Sequence, residues 1–570
     1  MRKIFFLMAI MLTAALTMTA QVTTSALSGK VTMQDTKEEV IGATIQAVHE
    51  PSGTRYAGVT NTSGRFSIQG MRNGGPYTIT VSYIGYQTKT FKNINLELGE
   101  TYSLPVWLSE DANELSEVVV SGKASKFAGD KMGASTNINS RTIQEMPTIS
   151  RSITDITRLS PYANGMSFAG ANGRMSNFTL DGANLNNNFG LSSGLPGGGT
   201  PVSLDAIDEI QVVITPYDVR QTNFIGGGIN AVTKSGTNTF KGTAYVYHNN
   251  ENMRGNRVDN QELAERTEDR KTTYGFTLGG PIIKNKLFFF ANFERSVIPS
   301  TVTKWRGSTD GVANPEKNIS RTTLSDLAAV SQFVKNEYGY DTGSWTDFPA
   351  DESNTKYLAR IDWNINDDHH LAVRFNHTTN TQWNAPSPVS NDFGKSWNFN
   401  TEGHFSQSSM GYANTFYKAE KNVTTVSASL NSRFNKVFSN ELLFTYSNMD
   451  DPIRDSNSAA FPFVQILAPN ANNELRPYLS LGYELFTWKN SVKNKITTIM
   501  DNATFDLGAH KVMAGLSFEH QYALNSFNRN GTGAYLYNSI ADFMSGAAPE
   551  EVALTWGYNG NGDPKVYYLF

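Results

Sequence analysis

The sequence predicts a mainly-β chain: a seven-strand β-sandwich first, a small α+β body second, and the first part of a large antiparallel transmembrane β-barrel last. Three observations carry this. Apolar residues recur at every second position in many short segments, the period of a strand with one buried face. Those segments are separated by Asn, Gly, Ser and Pro turns, in a chain of 570 residues with 47 Gly and 20 Pro. Aromatic residues reach 11% and charged residues only 18%, a mixture that favours β-structure and, beside an export signal, strands that face lipid.

Composition excludes several function classes. The length suggests three or four domains. Lys and Arg total 48 against 52 Asp and Glu, for a net charge of −4, so no positive excess exists to draw in nucleic acid. The chain has no Cys, which removes disulfides, thiolate metal sites, iron–sulfur clusters and cysteine nucleophiles.

Residues 1–20 read as a cleaved export signal. Arg2 and Lys3 precede an apolar run from Ile4 to Leu16, and Ala20 supplies the small residue before the cleavage point. The run is shorter than the roughly 20 apolar residues that a spanning helix needs.

Residues 21–108 follow as the sandwich. In Ile41-Gly42-Ala43-Thr44-Ile45-Gln46-Ala47 alternate side chains are apolar, and Arg65–Ile68 and Tyr77–Tyr83 repeat the pattern. Asn61-Thr62-Ser63-Gly64 and Asn73-Gly74-Gly75-Pro76 are turns between them. Through Leu27–Val31, Thr62–Phe66 and Tyr83-Ile84-Gly85-Tyr86 the segment resembles the carboxypeptidase regulatory-like domain. That resemblance implies a non-catalytic folding or docking module.

Residues 109–136 form an acidic linker, Ser109–Glu114, followed by Leu115-Ser116-Glu117-Val118-Val119-Val120-Ser121-Gly122. Three consecutive valines favour an extended backbone, and nothing nearby in the sequence offers a pairing partner. Such a strand suits β-augmentation onto another protein. Glu117, Val118, Val119 and Val120 resemble a TonB box, the energy-coupling segment of TonB-dependent outer-membrane receptors. The alternative is a last strand of the sandwich.

Residues 137–238 hold the most specific motifs. Ser140–Met146 and Ser152–Ser160 read as short helices begun by serines and stopped by Pro147 and Pro161, the second with Ile153, Ile156 and Leu159 on one face. Phe178–Gly182 is a strand entering a turn, and the polar run from Ala183 to Pro201 reads as loop. Gly226, Gly227 and Gly228 permit close backbone approach and unusual φ; Lys234-Ser235 then lead into a strand pattern, which excludes a nucleotide cradle. Thr179-Leu180-Asp181-Gly182, Ile207–Val213, the three glycines and Thr233–Asn238, in that order, resemble the plug domain of TonB-dependent receptors of the Oar-like branch. The implied plug motif is Asp181, Gly182, Gly226, Gly227, Gly228 and Lys234. The duplicated turn of the glycan-importing branch is missing, which argues against a surface lipoprotein lid.

Residues 239–570 read as barrel hairpins. Tyr357, Ala359, Ile361, Trp363 and Ile365 alternate with Arg360, Asp362 and Asn364, and the turn Asn366–His370 returns as Leu371, Val373 and Phe375 alternating with Arg374 and Asn376. The design recurs at Val426–Leu430 with Leu442–Tyr446, and at Ala503–Leu507 with Val512–Phe518. One face suits lipid and the other water. Tyr274–Pro281 and Lys286–Glu294 resemble the first barrel hairpin of the Oar-like family. His248-Asn249-Asn250-Glu251 has a zinc-like spacing but no recognisable third ligand, and reads as loop.

A plug of roughly 120 residues has a radius of gyration near 14 Å, too large for a small barrel. The stretch after Phe240 supplies on the order of 18 to 20 strands at most. Family members carry more, so the chain is expected to be a C-terminally truncated piece with an incomplete barrel. The resemblance implies a non-enzymatic transporter in the outer membrane of a Gram-negative bacterium, embedded in lipid, driven by the inner-membrane TonB complex and carrying an unidentified ligand. No catalytic, cofactor or metal residue is assigned. Asn186, Asn187, Asn188 and Phe189 are the candidate ligand-facing loop. The alternative function is a surface adhesin or structural barrel whose plug never moves and which transports nothing.

Overall fold

The computed structural model describes residues 22–110, 118–121, 133–148, 151–186, 194–198, 201–216, 218–221, 224–253, 255–262, 270–299, 303–386, 403–508, 510–556 and 567–568. The export signal, Glu117, and Asn187, Asn188 and Phe189 lie outside them.

Alternation dictates the first unit. Ile45 and Ala47 on one strand and Tyr77, Ile79 and Val81 on its neighbour turn inward, and all are inaccessible to solvent. Two sheets share this core. One runs Arg65–Met71, Ser25–Met33, Thr101–Ser103; Val106–Leu108 continues the last strand past Leu104-Pro105 and pairs with the far half of Ser25–Met33. The other runs Thr54–Val59, Thr44–His49, Gly74–Ser82, Lys89–Leu96 and ends on Val118–Ser121. Contrary to the expectation of no local partner, Val118–Ser121 lies parallel to Lys89–Lys92 in register. The sheet is completed by a strand about thirty residues further along, a pairing that a local reading cannot see.

The second unit is a five-stranded sheet in the order Ala134–Asn139, Ile207–Thr215, Gly228–Thr233, Asn177–Leu180, Ala183–Asn184. Its two helices are shorter than expected. Ser140–Glu145 is capped by Asn139, whose side chain accepts from the Thr142 N–H, and Ile153–Thr157 by Ser152 in a capping box. Ile153 and Ile156 are buried, but Leu159 falls past the helix and is exposed. The polar run after Ala183 is not all loop either. Ala183–Asn184 pairs with Thr179–Leu180, and Leu185 and Leu195 enter the core.

The third unit is a nine-stranded antiparallel meander. Its strands are Lys241–Asn249, Lys271–Ile283, Leu287–Ile298, Glu352–Asn364, His369–Asn384, Tyr417–Arg433, Phe438–Ser456, Ser491–Leu507 and His510–Ser526, each paired to the next. Lys241–Asn249 and His510–Ser526 are its edges among the described residues. His248 therefore sits on a strand, not in a loop, and its Nδ1 lies 2.9 Å from Thr272 Oγ1. Short turns near Asn285, Asp367, Asn435 and Gly508 lie at one end of the sheet. At the other end, long connections fold on one another. The helix Leu324–Tyr338, capped by Thr323 and stopped by Gly339 at φ 67°, packs Leu327, Val330 and Val334 against Met410, Tyr412, Ile466 and Leu479.

The two faces of the meander are inverted relative to a water-soluble sheet. Tyr357, Ile361, Trp363, Phe375, Phe444 and Phe518 are exposed, whereas Lys356, Arg360, Asp362, Arg374 and Asn376 are buried. A wall that hides its charges and shows its aromatics has lipid outside. No helix among the described residues is long and apolar enough to cross a membrane.

Candidate functional site: the contact between plug and wall

The polar face of the meander meets protein rather than water. The α+β body sits against it, and its apolar core includes Phe290, Leu358, Val423, Met449 and Ile496 of the wall. Around these five contacts the interface is built largely from hydrogen bonds and ion pairs.

Asp181 anchors the first group. Asp181 at φ 50° and Gly182 at φ 82° turn the chain sharply after Asn177–Leu180. A Cβ on Gly182 would lie 2.8 Å from Leu443 of the wall, so only glycine lets the turn approach this closely. The Asp181 carboxylate accepts from the Thr233 N–H at 3.0 Å and from its hydroxyl at 2.8 Å. Arg374 Nε of the wall stands 3.4 Å from the same carboxylate. Ser427 Oγ donates to the Asp181 carbonyl at 2.8 Å, and Arg360 donates to the Thr233 carbonyl. Arg360 in turn grips Asp362 through two hydrogen bonds of 2.9 and 2.8 Å, and Arg72 of the sandwich approaches Asp362 at 3.6 Å. Sandwich, plug and wall thus share one chain of alternating charges.

Glu294 organises the second group. Its carboxylate accepts from Ser203 of the plug at 2.8 Å, from Tyr245 at 2.9 Å and from Lys356 at 2.6 Å. Arg151 of the plug lies 3.7 Å from Glu294, pairs with Asp205 and rests 4.0 Å over the Tyr247 ring. Further along, Asn376 and Thr378 donate to the Pro201 carbonyl at 3.1 and 2.7 Å. Charges this deeply buried are tolerable only while paired.

Of the expected motif residues, Asp181 and Gly182 lie in this contact, while the three glycines serve the plug's interior. Each makes a close approach at ordinary φ: a Cβ on Gly227 would fall 2.7 Å from the Phe168 ring, on Gly226 2.7 Å from Ala171, and on Gly228 2.9 Å from Phe224. Lys234 is half-buried just past Gly228–Thr233, its N–H donating to the Ala206 carbonyl at 2.8 Å. Asn186 is tied down on both sides, accepting from the Phe178 N–H at 2.8 Å and offering its carbonyl to Asn494 at 3.2 Å. Of the wall residues, the sequence pattern marks Arg360, Asp362 and Arg374 only as water-facing and gives Lys356 and Glu294 no role. Their signal was charge recurring at the inward positions of adjacent strands.

A model of the outer-membrane β-barrel domain matches residues 232–309 and 297–564, more than half of the chain. The chain belongs to the outer-membrane β-barrel family. This β-barrel protein resides in the outer membrane, and residues 26–109 match the carboxypeptidase regulatory-like domain. It is 25% identical over 341 residues to the TonB-dependent transporter Oar of Myxococcus xanthus. The match covers 56% of this chain and 30% of the relative, so the chain spans less than a third of that relative's length. Among solved structures it is similar to the outer membrane transporter YddB of Escherichia coli, with TM-score 0.47, 11% identity, and coverage of 74% of this chain and 51% of that one. It is also similar to the ferric enterobactin receptor of Pseudomonas aeruginosa, with TM-score 0.39, 14% identity, and coverage of 68% and 49%. These relatives are transporters and receptors, not enzymes.

The lipid assignment gives a direct test. Phe375 is 41% exposed on the outward face of the barrel wall. Phe375→Arg is expected to cost about 2–4 kcal/mol in a bilayer, against under about 0.5 kcal/mol for an exposed site in water. Urea unfolding in lipid vesicles, compared with Phe375→Leu, separates the two.

Proposed function

We propose that the chain carries out TonB-dependent active transport of a ligand across the outer membrane, gated by the plug. The observation that supports this most is the makeup of the plug's contact with the wall. Apart from a few apolar wall residues it is made largely of hydrogen bonds and ion pairs centred on Asp181, Thr233, Ser203 and Arg151. Water can replace such contacts one at a time, so a mechanical pull can loosen the plug without unfolding its core. The pull enters at Glu117–Val120, upstream of the plug. Val118–Ser121 ends its sheet, so its outer edge has no strand partner among the described residues and can accept a TonB strand. Energy arrives as work from the inner membrane, and no covalent step is required. Asn186–Phe189 follow the Asp181 turn and are the segment proposed to face the ligand.

Val119→Pro removes a backbone donor from this strand and is expected to weaken capture of the chain by the purified TonB C-terminal domain at least tenfold, with Val119→Thr near wild type. Transport itself is read by profiling spent medium for compounds depleted only when both TonB and the chain are present. Depletion that persists unchanged after TonB is deleted would favour the adhesin reading instead.

A further inference from the structure

Among the described residues the sandwich touches the barrel at each of four short turns. At the first, Gly53 abuts Asn285, and Asn238, which donates to the Asn285 side chain at 2.6 Å, also donates its N–H to the Pro51 carbonyl at 2.8 Å. At the second, Asn364 donates to Thr54 Oγ1 at 2.9 Å and the His370 ring lies 4.8 Å from the Tyr56 ring. At the third, Arg433 donates to the Ala57 carbonyl at 2.6 Å, and Gly70 abuts Asn431. At the fourth, Asn61 donates to the Gly508 carbonyl at 2.8 Å.

The same unit also grips the plug. The Leu98 N–H donates to Glu209 Oε1 at 2.9 Å, while the Leu98 carbonyl accepts from Asn137 at 2.9 Å and from Gln211 at 2.7 Å. Asn73 donates to Asp208 and Glu209 at 2.9 and 3.2 Å, and Arg72 to Ser235 Oγ at 3.1 Å. Yet among the described residues no apolar core is shared. The sandwich's hydrophobic cluster contains only residues between Leu27 and Leu108, and the plug's cluster contains none of these. Between sandwich and wall runs a cleft of about 640 Å³. A unit with a complete core of its own, held to its neighbours by polar contacts beside a cleft, is built to leave as a rigid body.

We propose that the sandwich is a second gate: a cork across the turn end of the barrel that pins the Ile207–Thr215 strand of the plug and must undock before the plug can move. Its place in the chain makes this mechanical. Val118–Ser121 is the last strand of the sandwich sheet and leads on toward the plug, so a pull applied there loads the sandwich directly and the plug through the chain that follows. The plug's path out of the turn end is the space the sandwich occupies. The proposal rests on the transport reading only for what supplies the pull.

Single-molecule force measurement tests it. The chain, purified in detergent, is held by a C-terminal tag and pulled through a peptide tag inserted after residue 122. Ala57→Cys with Arg433→Cys places the only two cysteines in the chain on either side of one docking contact, where a short bis-maleimide links them. The same molecules are compared before and after linking, so a folding defect shows in the unlinked trace. Unlinked, two successive releases are expected; linked, plug extension is lost or needs at least twice the force. Arg433→Ala with Asn61→Ala should at least halve the first release force. Plug extension at unchanged force and length in the linked molecule would overturn the cork. Pulling instead through the TonB C-terminal domain isolates the other reading: failure of that handle to hold, while the tag still produces two releases, removes the TonB-driven transport and leaves the cork standing.

Discussion

Asp181→Ala is expected to destabilise the contact between plug and wall by about 3–5 kcal/mol, the usual cost of removing one partner of a buried ion pair. The carboxylate is 5% exposed and Arg374 7%. Its loss strands the Thr233 N–H and hydroxyl at one side and the Arg374 guanidinium at the other, with Arg360 close by on the next strand. Asp181→Asn keeps an acceptor oxygen for Thr233 but not the charge, and should fall between wild type and alanine. Thr179→Ser, a neighbouring change that leaves the ion pair alone, is the control. Limited proteolysis of the detergent-solubilised chain reads the effect. Plug fragments should appear at least a hundredfold faster in Asp181→Ala while the wall strands stay protected. Equal cleavage rates in the alanine variant and the wild type would show that Asp181 does not hold the plug.

Docking of the sandwich is expected to weaken as pH rises through neutrality. Burial pushes the Glu209 carboxyl up to about 7, with Asp208 beside it adding to the rise and the hydrogen bonds from Asn137, the Leu98 N–H and Asn73 opposing it. When the sandwich leaves, this carboxyl regains water and returns toward its ordinary 4.5. An acid whose pKa is higher in the docked state binds its proton more tightly there, so docking is favoured at low pH. The advantage is complete below about pH 4.5 and is lost as pH climbs to about 7; at about 1.4 kcal/mol per pKa unit it amounts to roughly 3 kcal/mol. Glu209→Gln should hold docking nearly constant across this window. Reaction of Thr54→Cys with a maleimide, in a chain without native cysteine, reports undocking. A wild-type rate that is flat from pH 5 to 8, or one that falls with pH after correction for thiolate formation, would contradict the assignment. His49 is held down to about 3 by burial, with Arg72 beside it adding to the fall, so acid below about pH 6 opposes the folded, docked state through His49, and the Glu209→Gln difference removes that contribution.

Much of this architecture was legible in the chain because strand alternation is local. The outward positions Tyr357, Ile361, Trp363 and Phe375 are the ones the pattern assigns to lipid, and the hairpin registers Leu430 with Leu442 and Phe505 with Val512 follow from turn position alone. The motif Thr179–Gly182 likewise marks a strand entering a turn. Other features were out of reach. Arg360, Asp362 and Arg374 read as water-facing because polarity is the same whether a side chain meets solvent or a paired charge. Ala183 and Leu185 looked like loop because the partners that bury them lie on other strands.

By itself the sequence determined the period of each segment, the sites of its turns and which face of each wall strand meets lipid, all set by residues within a few positions of one another. Tertiary structure alone decided that the wall's polar face is filled by the plug, that Val118–Ser121 closes the sandwich sheet, and that the sandwich sits across four turns. Those outcomes depend on contacts between residues hundreds of positions apart, such as Asn61 with Gly508, where no local preference selects the partner and only the geometry of the assembled units does.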